Sequence, residues 1–147
     1  HMSIFRCAGC GRINRIRADR QGPSAPKCGE CKAELDTSGS PQEVHAQEFK
    51  RAIRTSPVPV LLDVWAPWCG PCRMVAPVLE AVGKERAGEL MVLKVNSDEN
   101  QQLSSALRVS GIPTMLLFEG GREVARQSGA MPKPSLDSWL GAQGLRK

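Results

Sequence analysis

The chain has 147 residues, a formal net charge of +5 and a hydrophobic share of 41%. That length holds one ordinary globular domain with a small appendage, and that hydrophobic share excludes a disordered chain. No stretch approaches the roughly 18 apolar residues of a membrane span, and the opening SIFRCAGCGRINRIR has no apolar leader, so a cytoplasmic protein without a membrane segment is expected. The positive charge raises the question of nucleic acid. Residues 1–36 hold seven Lys and Arg against four Asp and Glu, and residues 37–147 hold thirteen against eleven. If the first segment's thiolates bind a divalent metal, its arginines offset their charge, which argues against a nucleic-acid partner.

His1-Met2 reads as the remnant of a cleaved tag and is set aside from fold reasoning. The six cysteines fall into three Cys-x-x-Cys pairs with none left over, which in a cytoplasmic protein indicates metal or redox sites rather than structural disulfides. Residues 3–36 are short, basic and rich in Cys and Gly. Cys7/Cys10 and Cys28/Cys31 have the spacing of a four-cysteine zinc site, two knuckles separated by a hairpin's worth of chain. Gly9, Gly11 and Gly29 stand where knuckle turns need small residues. A segment this small cannot fold on its own core, so a metal is expected to supply the folding energy. Zinc suits that purpose because it has no redox chemistry; a rubredoxin-like iron is the metal rival for four thiolates. TSGSP, residues 37–41, has the composition of a linker.

Residues 42–147 alternate strands and helices. Gln42–Val44 is a brief strand candidate, and Gln47–Arg54 a short helix with Phe49 and Ile53 on one face. Val58–Trp65 is a near-continuous apolar run, as in a strand buried on both faces. Val75, Val78, Leu79 and Val82 recur at helical spacing in a helix that starts near Cys69 and carries Pro77, a residue expected to kink it. Leu90–Val95 is a second buried strand. Asp98 then reads as a helix cap with Gln101 three residues on, and Leu103, Ala106 and Leu107 as the inward face. A hairpin turning at Gly120-Gly121 follows, and Pro134 opens a last helix with Leu136, Trp139 and Leu140 on one face. This order predicts an α/β domain with a mixed sheet.

The pair Cys69-Gly-Pro-Cys72 lies between a buried strand and a helix N-terminus, whose free N–H groups and partial positive charge favour a thiolate. Cys69 is therefore the expected attacker. Gly70 relieves the turn, and Pro71 fits the first helical turn, leaving Cys72 close enough to close a disulfide. Asp63 interrupts the apolar strand six residues earlier. Burial should raise its pKa and equip it to accept the Cys72 proton, unless its carboxylate reaches solvent beyond the sheet edge.

WAPWCGPC, the preceding Asp63, GIPT at Gly111–Thr114 and SGAMPK near the end together resemble the thioredoxin family over roughly Pro41 to Leu140. The resemblance implies a thioredoxin fold, a central mixed sheet flanked by helices. It implies Cys69 as nucleophile, Cys72 as resolving thiol, Asp63 as proton relay and Pro113 as a cis-proline opposite the redox-active disulfide. Trp65, Pro67, Trp68, Gly70, Pro71, Ile112 and Gly129 would line the client groove, with Lys94 the cation facing Asp63. It further implies a monomeric protein-disulfide reductase acting on disulfide-containing proteins and recharged by an NADPH-dependent thioredoxin reductase. The first four cysteines, with INRI and DSWL, resemble the bacterial thioredoxins of the thioredoxin 2, or thioredoxin C, type, which carry an N-terminal zinc-ribbon-like domain.

Two other classes are weighed against this. One is a zinc-dependent module that binds protein or nucleic acid on a thioredoxin scaffold; an intact Cys-Gly-Pro-Cys argues against it. The other is a disulfide oxidase or isomerase, which needs an oxidising compartment. No Walker or dinucleotide-binding sequence is present, so no bound nucleotide or flavin is expected, and His45 has no partner pattern for catalysis.

Overall fold

The computed structural model describes residues 1–17, 19–20, 22 and 24–146. The N-terminal part is built on an antiparallel pair, β1 (Met2–Arg6) and β2 (Ile13–Arg17). Met2 lies opposite Arg17 in that ladder, so it belongs to the fold although the sequence reading sets it aside. Cys7 and Cys10 stand in the turn between the two strands, and the second cysteine pair sits in a turn closed by a bridge between Lys27 and Glu34. The hairpin thus contains the first knuckle, where the sequence suggests a hairpin between knuckles. Cys7, Cys28 and Leu35, with Ile16 and Cys10, form its small interior.

The larger part follows as β3 (Gln42–Glu43), α1 (Ala46–Thr55), β4 (Val60–Trp65), α2 (Gly70–Glu85), β5 (Met91–Asn96), a 3-10 turn (Ser97–Glu99), α3 (Gln101–Ala106), β6 (Thr114–Glu119), β7 (Arg122–Ser128) and α4 (Lys133–Ala142). The sheet order is β3-β5-β4-β6-β7, with β3, β5 and β4 parallel and β6 and β7 antiparallel. This is the mixed sheet expected from the sequence. Alternation along β4 divides the interior between the two sheet faces. Leu62 and Val64 pack with Phe49 and Ala52 of α1. Leu61 packs on the other side with Val75, Leu79 and Val82 of α2 and Leu136 and Leu140 of α4. Both faces are covered, which explains the continuous apolar run. Asp63 shares a face with Leu61, beneath α2.

Two expectations are corrected. Asp98 does not cap a helix: the Asn96 side chain accepts from the Asp98 amide and sets up a 3-10 turn, and α3 begins only after Asn100. Ala106, expected on the inward face, is exposed, while Leu103 is buried and Leu107 packs against the core. As the sequence reading has it, Pro77 lies inside α2, on that helix's exposed side.

Residues 37–41 are not a loose tether. Gly39 has φ +84°, and a Cβ there would strike the backbone carbonyl of Gly83 in α2. From α1, Arg51 donates through Nη1 to the carbonyl oxygen of Cys10 at 2.8 Å, and Ile4 N donates to Gly88 O at 2.9 Å. The cysteine hairpin is therefore fixed to the sheet domain from three sides.

Candidate active site and metal centre

Strand β4 ends at Trp65, and the chain turns through Ala66, Pro67 and Trp68 into α2. Cys69 occupies the N-cap position, where its Sγ accepts from the Cys72 amide at 3.2 Å, so the sulfur takes the place of the usual capping oxygen. A thiolate at that point is stabilised by the unpaired amides of the first turn. Cys69 and Cys72 form a disulfide with a Cα–Cα distance of 5.2 Å. Each cysteine is only 4% exposed, so a client must bring its own disulfide down onto the sulfur.

Across from this pair, the Ile112–Pro113 peptide bond is cis, and the carbonyl oxygen of Ile112 lies 3.8 Å from Cys69 Sγ. Gly129, with φ +92°, donates its amide to the Pro113 carbonyl at 2.8 Å, which ties the end of β7 to the proline segment. Trp65 and Ile112 pack around Ala66, Cys69 and Cys72. Pro67, Trp68, Gly70, Pro71 and Gly129 are exposed around them. Trp68, 66% exposed, is held upright because its Nε1 donates to Asp98 Oδ2 at 3.0 Å. These residues singled out from the sequence thus lie around the cysteine pair and the proline segment, and Asp98 is added as the hydrogen-bond partner of Trp68.

Asp63 is fully buried, and neither carboxyl oxygen has a hydrogen-bond partner among the described residues. Burial pushes its pKa up to about 7, against a smaller opposing pull from Lys94 and with an upward push from Glu43. Its cross-strand neighbours are Lys94 on β5 and Met115 on β6. Lys94 Nζ lies 4.7 Å from the centroid of the Trp65 ring. Glu43 escaped the sequence reading. It stands opposite Lys94 in the β3–β5 pairing, and only knowledge of the strand order links it to Asp63.

In the N-terminal hairpin the four Sγ atoms of Cys7, Cys10, Cys28 and Cys31 all lie within 4.8 Å of one another. Cys7–Cys31 and Cys10–Cys28 are each 3.6 Å apart. Four thiolates about 2.3 Å from a tetrahedral zinc stand roughly 3.8 Å from each other, so the donor set and its spacing fit that ion. The backbone amides of Cys31 and Glu30 lower the pKa of the Cys28 thiol, with Glu30 N 3.4 Å from the sulfur. Asn14 completes the cradle by accepting the Gly29 amide at 2.9 Å.

A dithiol at the cap of a helix, fed by a buried strand and faced by a cis-proline segment, defines a thiol–disulfide exchange protein. The family model for Thioredoxin matches residues 40–142. Thioredoxin C-3 of Corynebacterium nephridii is 39% identical over 140 residues, which cover 95% of this chain and 94% of that protein. Thioredoxin 1 of Nostoc sp. strain PCC 7120 is 47% identical over 98 residues, covering 67% of this chain and 92% of the relative. Among solved structures, an N21Q mutant thioredoxin from Halobacterium salinarum NRC-1 superposes with a TM-score of 0.67 at 31% identity, covering 76% of this chain and 97% of that one. The chain belongs to the thioredoxin family. It is accordingly a thiol–disulfide oxidoreductase, with Cys69 and Cys72 as its redox pair.

Proposed function

We propose that the protein is a monomeric, cytoplasmic protein-disulfide reductase in which Cys69 attacks and Cys72 resolves. The observation that carries this reading is the Cys69 sulfur at the cap of α2, taking the Cys72 amide at 3.2 Å beside the Ile112 carbonyl. In the reduced protein the Cys69 thiolate attacks one sulfur of a client disulfide, and the client's other sulfur leaves as a thiolate. An extended client segment pairs with the backbone at Ile112 and lies over Trp68, Pro67, Gly70, Pro71 and Gly129, with Trp65 beneath. Pro113 shapes this groove. Asp63 then accepts the Cys72 proton, with Lys94 moderating its basicity. The Cys72 thiolate attacks Cys69, expelling the second client thiolate, which takes a proton from water. Two electrons pass to the client and the Cys69–Cys72 disulfide remains. An NADPH-dependent thioredoxin reductase is the expected source of electrons for the return.

Cys7, Cys10, Cys28 and Cys31 would together hold one zinc ion. Bound there, zinc supplies cross-linking and folding energy, without redox chemistry of its own. A trapping experiment tests the exchange reading. Cys72→Ser should accumulate mixed disulfides with client proteins, and Cys69→Ser should form none. Full turnover in either variant would overturn it.

A further inference from the structure

The geometry points to Glu43 as a positioning residue: it anchors Trp65 and shares Lys94 with Asp63, and so strengthens Asp63 as the base that takes the Cys72 proton. The inference rests on the relay role proposed for Asp63. Three successive strands set one row of side chains, Glu43 on β3, Lys94 on β5 and Asp63 on β4. Residues paired in a row share a sheet face, so Lys94 stands between the two acidic residues in the row, and its charge acts on both carboxyls. Glu43 Oε2 accepts from Trp65 Nε1 at 3.3 Å and from the Asn96 amide at 3.1 Å, which fixes the carboxylate beside the lysine. The Trp65 ring, in turn, is the surface over which Lys94 Nζ rests. Glu43, Trp65 and Lys94 are thus in contact one through the next, and the charges of Glu43 and Lys94 reach Asp63 across the strand row.

The sign of the effect follows from charge. Lys94 alone would stabilise the Asp63 carboxylate and make it a weak base. Glu43 neutralises part of that field and adds a like charge of its own, so the Asp63 proton is held more tightly. The neighbours from other elements leave this balance intact. Met115 faces Asp63 from β6, and α2 presents the uncharged Cys69–Cys72 disulfide. The charges on α2 and α4 that pair together, Glu85, Arg86, Lys133 and Asp137, gather at the C-terminal end of α2. Glu99, from the 3-10 turn, acts on Glu43 itself, raising its pKa.

Glu43→Gln tests this, because a glutamine oxygen can still accept from Trp65 while the charge is gone. The first readout is the Asp63 carboxyl itself, followed by carbon NMR in the oxidised protein, where neither active-site cysteine titrates. Its midpoint should fall by about half to one pH unit, since Glu43 is an exposed residue and solvent screens its charge. The second is the pH profile of Cys72 resolution, whose acid limb should move down with it. Lys94→Met supplies the opposite arm and should raise the Asp63 midpoint. An unchanged or raised midpoint in Glu43→Gln overturns the inference. Asp63→Asn separates the two layers. If it leaves the resolution profile unaltered, the relay reading fails. If it flattens the profile while Glu43→Gln leaves the midpoint in place, only the role of Glu43 fails.

Discussion

Arg6 and Gln42 exchange hydrogen bonds across the junction of the two parts: Arg6 Nη1 donates to Gln42 Oε1 at 2.8 Å, and Gln42 Nε2 donates to the Arg6 carbonyl at 3.0 Å. Arg6 also reaches Glu48 of α1 at 3.2 Å, with its side chain only 3% exposed. The same arginine therefore closes the cysteine hairpin onto β3, the strand that carries Glu43.

Arg6→Ala should cost about 1–3 kcal/mol in denaturant unfolding, because it orphans the Gln42 amide oxygen and removes a charge-assisted bond, while Glu48 regains solvent. Arg6→Met should recover part of the loss by restoring the packing of the stem. Equal stability of Arg6→Ala and the parent would show that the hairpin is not held by this contact.

Metal removal should affect the two parts unequally. The hairpin interior is Cys7, Cys28 and Leu35 with little else, whereas the sheet domain has apolar clusters on both faces. Chelation, or Cys28→Ser, should therefore erase hydrogen-exchange protection in β1 and β2 and leave β4, β5 and β6 protected. Protection in β1 unchanged after complete chelation would mean that docking of Ile4 and Arg6 alone orders the hairpin.

Gly39→Ala offers a local test of the connection between the parts. It combines a left-handed backbone at φ +84° with a Cβ aimed at the Gly83 carbonyl in α2, both backbone constraints that no rotamer change relieves. A loss of at least about 2 kcal/mol is expected on thermal unfolding. A neutral substitution would mean the segment is free to move away from α2.

Much of this is legible in the amino-acid sequence. The order of strands and helices follows from hydrophobic period, and Cys69, Cys72 and the four-cysteine spacing are local patterns. Asp63 stood out because a carboxylate inside VLLDVW contradicts its surroundings. Glu43 does not stand out, and Asp98 reads only as a helix cap, since each is a polar residue where polar residues are ordinary. Their roles come from strand order and from a 3-10 turn, which bring them to Lys94 and Trp68 from 51 and 30 residues away. The cap expected at Asp98 failed for the same reason: Asn96, two residues earlier, competes for the local amide.

Asp63 should also leave a signature in the pH dependence of stability. Its ordinary carboxyl value is 3.8, and in the fold it is pushed up to about 7 by burial. Between those values the folded protein keeps a proton that the unfolded chain has already lost. Stability must therefore fall as pH rises through this window and level off above it. Below about pH 4 both states are protonated and the residue has no effect. At roughly 1.4 kcal/mol for each pH unit, the loss reaches about 4 kcal/mol by neutrality. Asp63→Asn removes the titration but leaves a buried amide without partners, so a gain of about 2–4 kcal/mol over the parent is expected at pH 8. At pH 4 that gain should vanish. Denaturant unfolding of the oxidised protein at the two pH values checks this, because Cys69 and Cys72 cannot titrate while joined. Parallel stability curves for parent and variant would show that Asp63 is charged in the fold at both, and would remove the basis for its role as a proton acceptor.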